Sequence, residues 1–154
     1  MTNGCVLCDP QLGPILAESA LWRTVLNRNQ NLLGKCFVAT KRHVEAVTAL
    51  TTEEWSGLHQ QIALATRALD LAFQPDHYNY AFLQNQDRHV HLHVIPRYAG
   101  SRMFGGERFD DPDYSDHYAV SASRVLSETQ RAELAEELRR RFGEAMLGID
   151  DTRV

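Results

Sequence analysis

Between His89 and Pro96 the chain reads His-Val-His-Leu-His-Val-Ile-Pro. Alternation of this kind fits a β-strand, where successive side chains point to opposite faces. Val90, Leu92 and Val94 then form an apolar face that must be buried. His89, His91 and His93 are expected on the other face, their rings starting about 6.6 Å apart, twice the rise per strand residue. One strand histidine alone would read as a structural residue. Here three of the seven histidines fall within five residues. Burying three titratable rings together is costly unless each has a partner, so this face is expected to carry chemistry. Spacing alone leaves two chemistries open, because H-x-H on a strand can also supply two zinc ligands.

The surrounding chain is compatible with a small globular enzyme. Its 154 residues suffice for a core without disulfide staples, and are read as one domain, 1–154. A formal net charge of −4 argues against a polymeric nucleic acid or an anionic membrane as partner. A local anion site stays compatible with that charge, since a few amides and cations can hold one phosphate. The opening MTNGCVLCDP has no basic or apolar signal region, and no apolar run is long enough to span a bilayer. A cytoplasmic location is therefore expected. The three cysteines do not form a disulfide framework; Cys5-x-x-Cys8 points to metal or redox use, and Cys36 reads as a small buried hydrophobe.

Val25–Leu26 and Phe37–Ala39 read as short strands flanking a polar turn from Asn27 to Lys35. Thr51-x-x-Glu54 forms a capping box. Behind it Trp55, Leu58, Ile62, Ala65, Leu69 and Phe73 recur at helical spacing, and Pro75 bounds the helix. Tyr78, Tyr80 and Phe82 alternate as a strand, and residues 88–96 follow closely enough to pair with it as a hairpin. Residues 98–120 carry no periodicity and read as a long loop. Ser127-x-x-Gln130 caps a last helix, 127–143, with Leu134, Leu138 and Phe142 on one side; residues 148–154 read as a frayed tail. Hairpin spacing favours an antiparallel α+β fold over a doubly wound sheet.

The pattern His-φ-His-φ-His-φ-φ, with φ apolar, resembles the signature of the histidine triad (HIT) family at every position from His89 to Ile95. With Leu26-Asn27-Arg28 and His93-Val94-Ile95-Pro96-Arg97, the resemblance spans roughly residues 5–98 and is nearest to the branch of the fragile-histidine-triad protein and bacterial diadenosine-polyphosphate hydrolases. It implies an antiparallel sheet of about five strands with a central and a C-terminal helix, dimerised into a continuous sheet. It also implies a nucleotide hydrolase or transferase that needs no catalytic cofactor and acts on dinucleoside polyphosphates. By the same resemblance His91 is the nucleophile, His93 and His89 assist, and Asn27 holds the ribose; Gln84, Asn85 and Gln86 form the loop at the phosphate. That loop is shorter than in many relatives, and Gln86 stands where they carry Ser or Thr. A hydroxyl that helps the leaving group depart is thereby missing.

Some relatives hold a structural zinc. The resemblance maps its ligands to Cys5, Cys8, His43 and His89, a closed Cys2His2 set. Bound zinc would remove His89 from catalysis. Among weaker candidates, His59 reads as helix surface, His77 as a turn and His117 as a loop residue able to close over substrate. Arg97 and Arg102 are candidates for distal phosphates, otherwise solvated, and Asp110-Asp111-Pro112-Asp113 reads as a solvated loop. Three rivals accompany the anhydride hydrolase: a phosphoramidate (P–N) hydrolase, a catalytically weak nucleotide-binding regulator, and a metalloenzyme using the triad as ligands. No carboxylate is arranged to complete the last.

Overall fold

The computed structural model describes residues 4–9 and 11–150, with side chains through 148. Strands β1 (Ile15–Glu18), β2 (Trp22–Leu26) and β3 (Cys36–Thr40) come first, followed by helix α1 (Thr52–Phe73). Strands β4 (His77–Ala81) and β5 (His91–Arg97) form the expected hairpin. A small hairpin, β6 (Arg102–Phe104) and β7 (Glu107–Phe109), precedes helix α2 (Glu128–Asp150). The main sheet is five-stranded and antiparallel, ordered β1-β2-β3-β5-β4. Among the described residues no helix is long and apolar enough to cross a membrane.

One face of the sheet is sealed by helices. Cys36 and Val38 of β3 sit opposite Val94 and Leu92 of β5, and all four join the core with Leu58, Ala65 and Leu69 of α1 and Leu134, Leu138 and Phe142 of α2. Burial pushes the Cys36 thiol up to about 12, so it packs as an inert small hydrophobe. Both predicted capping boxes form. Thr51 Oγ1 accepts from the Glu54 amide while Glu54 accepts from the Thr51 amide, and Ser127 and Gln130 exchange the same pair. Gly34 is required twice over in the β2–β3 turn. Its φ is +87°, and a Cβ there would lie 2.6 Å from Leu69 Cδ2.

Several expectations need correction. Trp55 is 44% exposed, packed edge-on against Phe82 rather than in the core. The buried stripe starts instead at Glu54, whose carboxylate is held well below its usual range by Arg42, and continues through Leu58 and Gln61, whose amide oxygen accepts from Thr24. The 98–120 loop contains the β6–β7 hairpin. Helix α2 runs to Asp150 rather than ending near 143; residues 151–154 of the expected tail lie outside the described residues. His77 begins β4 and is not in a turn. Strand β1, too short to show alternation, went unpredicted.

Candidate functional site

The triad strand begins at His91, not at 88. Just before it the chain bends: the Val90 amide donates to Val44 O at 2.7 Å and its carbonyl accepts from Thr40 N. The alternation therefore breaks at His89. His91 and His93 share the face away from the helices, with ring centroids 4.9 Å apart, while His89 turns into a separate, fully buried position. The expectation of three rings on one face is corrected to two plus one.

His91 and His93 face an open cavity of about 700 Å³, a size suited to a nucleotide-scale ligand. Asn27, Lys35 and Phe37 line it from the β2–β3 region, and Gln84, Asn85, Gln86 and Asp87 from the loop before β5. Tyr118 and Val125 line it from the segment leading into α2, and Arg131 from the first turn of α2 itself. His91 is 8% exposed and its Nδ1 lies 2.7 Å from the His89 carbonyl oxygen. A carbonyl can only accept, so Nδ1 carries the proton, and the neutral ring keeps its lone pair on Nε2. Burial pushes the His93 imidazole down to about 4, with His91 and Lys35 adding to the effect. Near neutral pH His93 is thus a neutral hydrogen-bond donor and carries no positive charge. Asn27 Oδ1 accepts the Asn29 amide at 3.0 Å. Gln84 adopts a left-handed φ of 46° and donates to Glu45 O, while Gln86 is exposed at the cavity.

His89 belongs to a second cluster and does not line the cavity. Its Nδ1 lies 3.4 Å from Cys5 Sγ and 3.5 Å from Cys8 Sγ, and His43 Nδ1 lies 3.4 Å from Cys8 Sγ. One ligand atom from each of Cys5, Cys8, His43 and His89 falls within 4.8 Å of every other. Tetrahedral zinc with these donors has ligand–ligand edges of about 3.3–3.8 Å. The donor set fits, and so does its surroundings: His89 Nε2 lies 2.8 Å from Thr40 O, an acceptor that puts the proton there and aims the Nδ1 lone pair at the thiols.

The weaker candidates separate cleanly. His59 and His117 are exposed and neither lines the cavity, although Tyr118 does. Arg97 is neither a phosphate ligand nor solvated. It is 2% exposed and paired with the buried carboxylate of Asp111 at 2.7 Å, so the acidic run is not a solvated loop throughout. Arg97 also donates to Asn79 Oδ1 and to the carbonyls of Asp113 and Asp116. Arg102 caps the end of α1 through the Phe73 and Gln74 carbonyls and stacks on Tyr98. Sequence reasoning missed Lys35 as a lining residue, because in a polar turn it carries no distinguishing pattern.

Known structures reproduce this arrangement as a fold. A hypothetical histidine triad nucleotide-binding protein from Sulfolobus tokodaii is 17% identical, with TM-score 0.74 over 97% of this chain and 99% of that one. A zinc-bound histidine triad family protein from Mycobacterium smegmatis is 21% identical, with TM-score 0.66 over 96% and 99%. A HIT family protein from Bacillus anthracis is 26% identical, with TM-score 0.58 over 67% and 83%. No protein of curated function matches the sequence. The HIT domain profile, however, matches residues 14–100, more than half of the chain and the whole stretch from β1 through the triad. The chain belongs to the HIT family.

Proposed function

We propose that the protein is a nucleotide hydrolase or nucleotidyl transferase that uses His91 as its nucleophile. The observation that carries the reading is the short bond from His91 Nδ1–H to the His89 carbonyl, which fixes the tautomer and leaves Nε2 as the nucleophilic nitrogen on the cavity face. Nε2 attacks the α-phosphorus and the bond to the leaving group breaks, the leaving group taking the electron pair. Water then attacks the nucleotidyl-histidine, the P–N bond breaks with its electron pair returning to Nε2, water's proton passes to solvent, and the ring returns to its starting tautomer. One difficult displacement becomes two easier ones. Neutral His93 donates to the non-bridging oxygens, where charge develops. Asn27 binds the ribose hydroxyls through its amide N–H groups, since its oxygen already accepts from Asn29.

Dinucleoside polyphosphates such as diadenosine tetraphosphate are the favoured substrates. Gln86 can donate a hydrogen bond but is no acid, so a leaving group of low basicity suits this pocket better than an amine. The phosphoramidate hydrolase is the second reading, and Gln86 is the residue that separates the two. A structural zinc held by Cys5, Cys8, His43 and His89 belongs to the proposal; it would tie the N-terminal segment to the triad and takes no part in the steps above. The proposal also places the protein in the cytoplasm as a homodimer whose sheets join edge to edge, β1 and β4 being the edges available.

His91→Ala tests the reading on a panel of diadenosine polyphosphates, adenosine phosphoramidate and nucleotide sugars. Turnover should fall by roughly a thousandfold or more while AMP affinity and melting temperature hold. Quenched wild-type reactions should yield a nucleotidyl adduct on His91 alone. An alanine variant that keeps a tenth of the activity, or an adduct elsewhere, overturns the mechanism.

A further inference from the structure

Among the described residues the cavity has three cationic side chains on its lining: Arg28, Lys35 and Arg131. Arg28 is exposed, whereas Lys35, the residue just before β3, is half-buried. Two residues on, Phe37 stands directly opposite His93 in the β3–β5 register, so Lys35 and Phe37 share the sheet face that carries His91 and His93. The ammonium is held in place. Its Nζ donates to Asn31 Oδ1 at 2.6 Å. Asn31 is fixed in turn by a ladder of side-chain carbonyls, Asn29 Oδ1 accepting from the Asn31 amide and Asn27 Oδ1 from the Asn29 amide, each at 3.0 Å. Asn29 is tied across to the Ala122 carbonyl at 2.8 Å.

This partner is a neutral amide and not a carboxylate. Among the described residues no carboxylate pairs with this partly buried ammonium, which is therefore held at a cost, and burial pushes Lys35 down to about 8. The titratable and charged groups that line the same cavity are His91 and His93 of β5, Asp87 of the preceding loop, Arg28, Tyr118, and Glu128 and Arg131 of α2. His93, neutral beside it, adds hydrogen bonding but no charge. A phosphate would supply the missing anion, placed where the two histidines already face.

We propose that Lys35 is the phosphate-binding residue of this cavity, its ammonium gripping non-bridging oxygens of the nucleotide so that the pocket selects nucleotides over nucleosides. The assignment rests on the nucleotide reading above and deepens it. It also supplies the cation that sequence reasoning sought at Arg97 and Arg102, both of which the fold uses elsewhere.

Calorimetric titration of the full-length protein with AMP and with adenosine is the test. Wild type should bind AMP more tightly. Lys35→Gln should lose roughly tenfold or more in AMP affinity, the worth of one charge-assisted contact, and leave adenosine affinity unchanged. Lys35→Arg should restore most of the difference. Equal losses for both ligands, or no loss for either, overturn the assignment while leaving the nucleophile intact. Failure of wild type to bind AMP at all overturns the nucleotide reading and this assignment with it. The variants need not carry the whole test: NMR titration of the Lys35 side chain in wild type should show its midpoint rising with AMP and not with adenosine, and a midpoint that ignores AMP overturns the proposal.

Discussion

His89 and His91 are two residues apart and equally part of one motif, yet their rings are committed in different ways. Both nitrogens of His89 are engaged, Nε2 by Thr40 and Nδ1 among two thiols, and the ring is fully buried. His91 spends one nitrogen on a carbonyl and presents the other to a cavity. The difference follows from the backbone. A bend at 89–90, closed by the bonds of Val90 to Val44 and Thr40, takes His89 out of the strand, and β5 then carries His91 and His93 on its open face. A ring with no free valence is an architectural part, whereas a ring with one free valence can do chemistry. The peptide between them joins the two roles, because the carbonyl that orients His91 belongs to His89.

The sharpest way to break this contrast is to exchange the lesions. His91→Ala should abolish turnover and spare metal content, whereas Cys8→Ser or His89→Ala should do the reverse first. Protein purified without chelators should hold about one zinc per chain by elemental analysis, and either ligand variant should lower the melting temperature, because site assembly and folding are coupled. Zinc-free wild type of unchanged thermal stability, with Cys5 and Cys8 freely alkylated, would remove the metal from the account.

Acid should separate the regions next. His93 has its folded pKa below the ordinary 6.5, so between 6.5 and about 4 the unfolded chain binds the extra proton and stability falls as pH falls. Glu54 does not line the cavity, and its carboxyl is held to about 2 mainly by the Arg42 hydrogen bond. The stability it contributes is present above 4.5 and is lost as pH drops toward about 2. Urea unfolding across this range should show two limbs, with His93→Phe flattening the upper one and Glu54→Gln the lower. A single limb unaffected by His93→Phe would show that the ring is not buried as described.

The smallest expected effect lies in the loop. Gln86→Ser should raise kcat/KM for adenosine phosphoramidate more than for diadenosine tetraphosphate, by a few-fold in the ratio. Because the loop is short, Asn85→Ser is the companion variant. A ratio moved by Asn85→Ser alone would assign the leaving group to position 85.

Where an element carries a strong local pattern, its presence was legible in the sequence; β1 and the β6–β7 hairpin, three or four residues per strand, were too short to show one. Alternation gave the β4–β5 hairpin, and the Thr51–Glu54 and Ser127–Gln130 boxes gave both helix starts. What failed around the site depended on partners distant in the chain. The turn at His89 is dictated by Val44 and Thr40, and no local pattern announces it. Trp55 satisfies helical spacing, but the position beside it, Glu54, claims the buried face through Arg42. Lys35 gains its meaning from Asn31 and from the sheet face, both invisible in a polar turn. The Cys5–Cys8–His43–His89 cluster became legible through family resemblance, since C-x-x-C cannot by itself select His43.

Arg97 has all three guanidinium nitrogens committed, to Asp111, Asn79 and the carbonyls of Asp113 and Asp116. It thereby clasps residues 111–116 to the end of β5, just upstream of the Tyr118 cavity wall. A lysine could reproduce the charge but not the fork, so even that conservative exchange would leave buried acceptors unmet. Arg97 thus holds the wall without reaching the cavity that His91 faces, and its demands on side-chain shape are no looser for that.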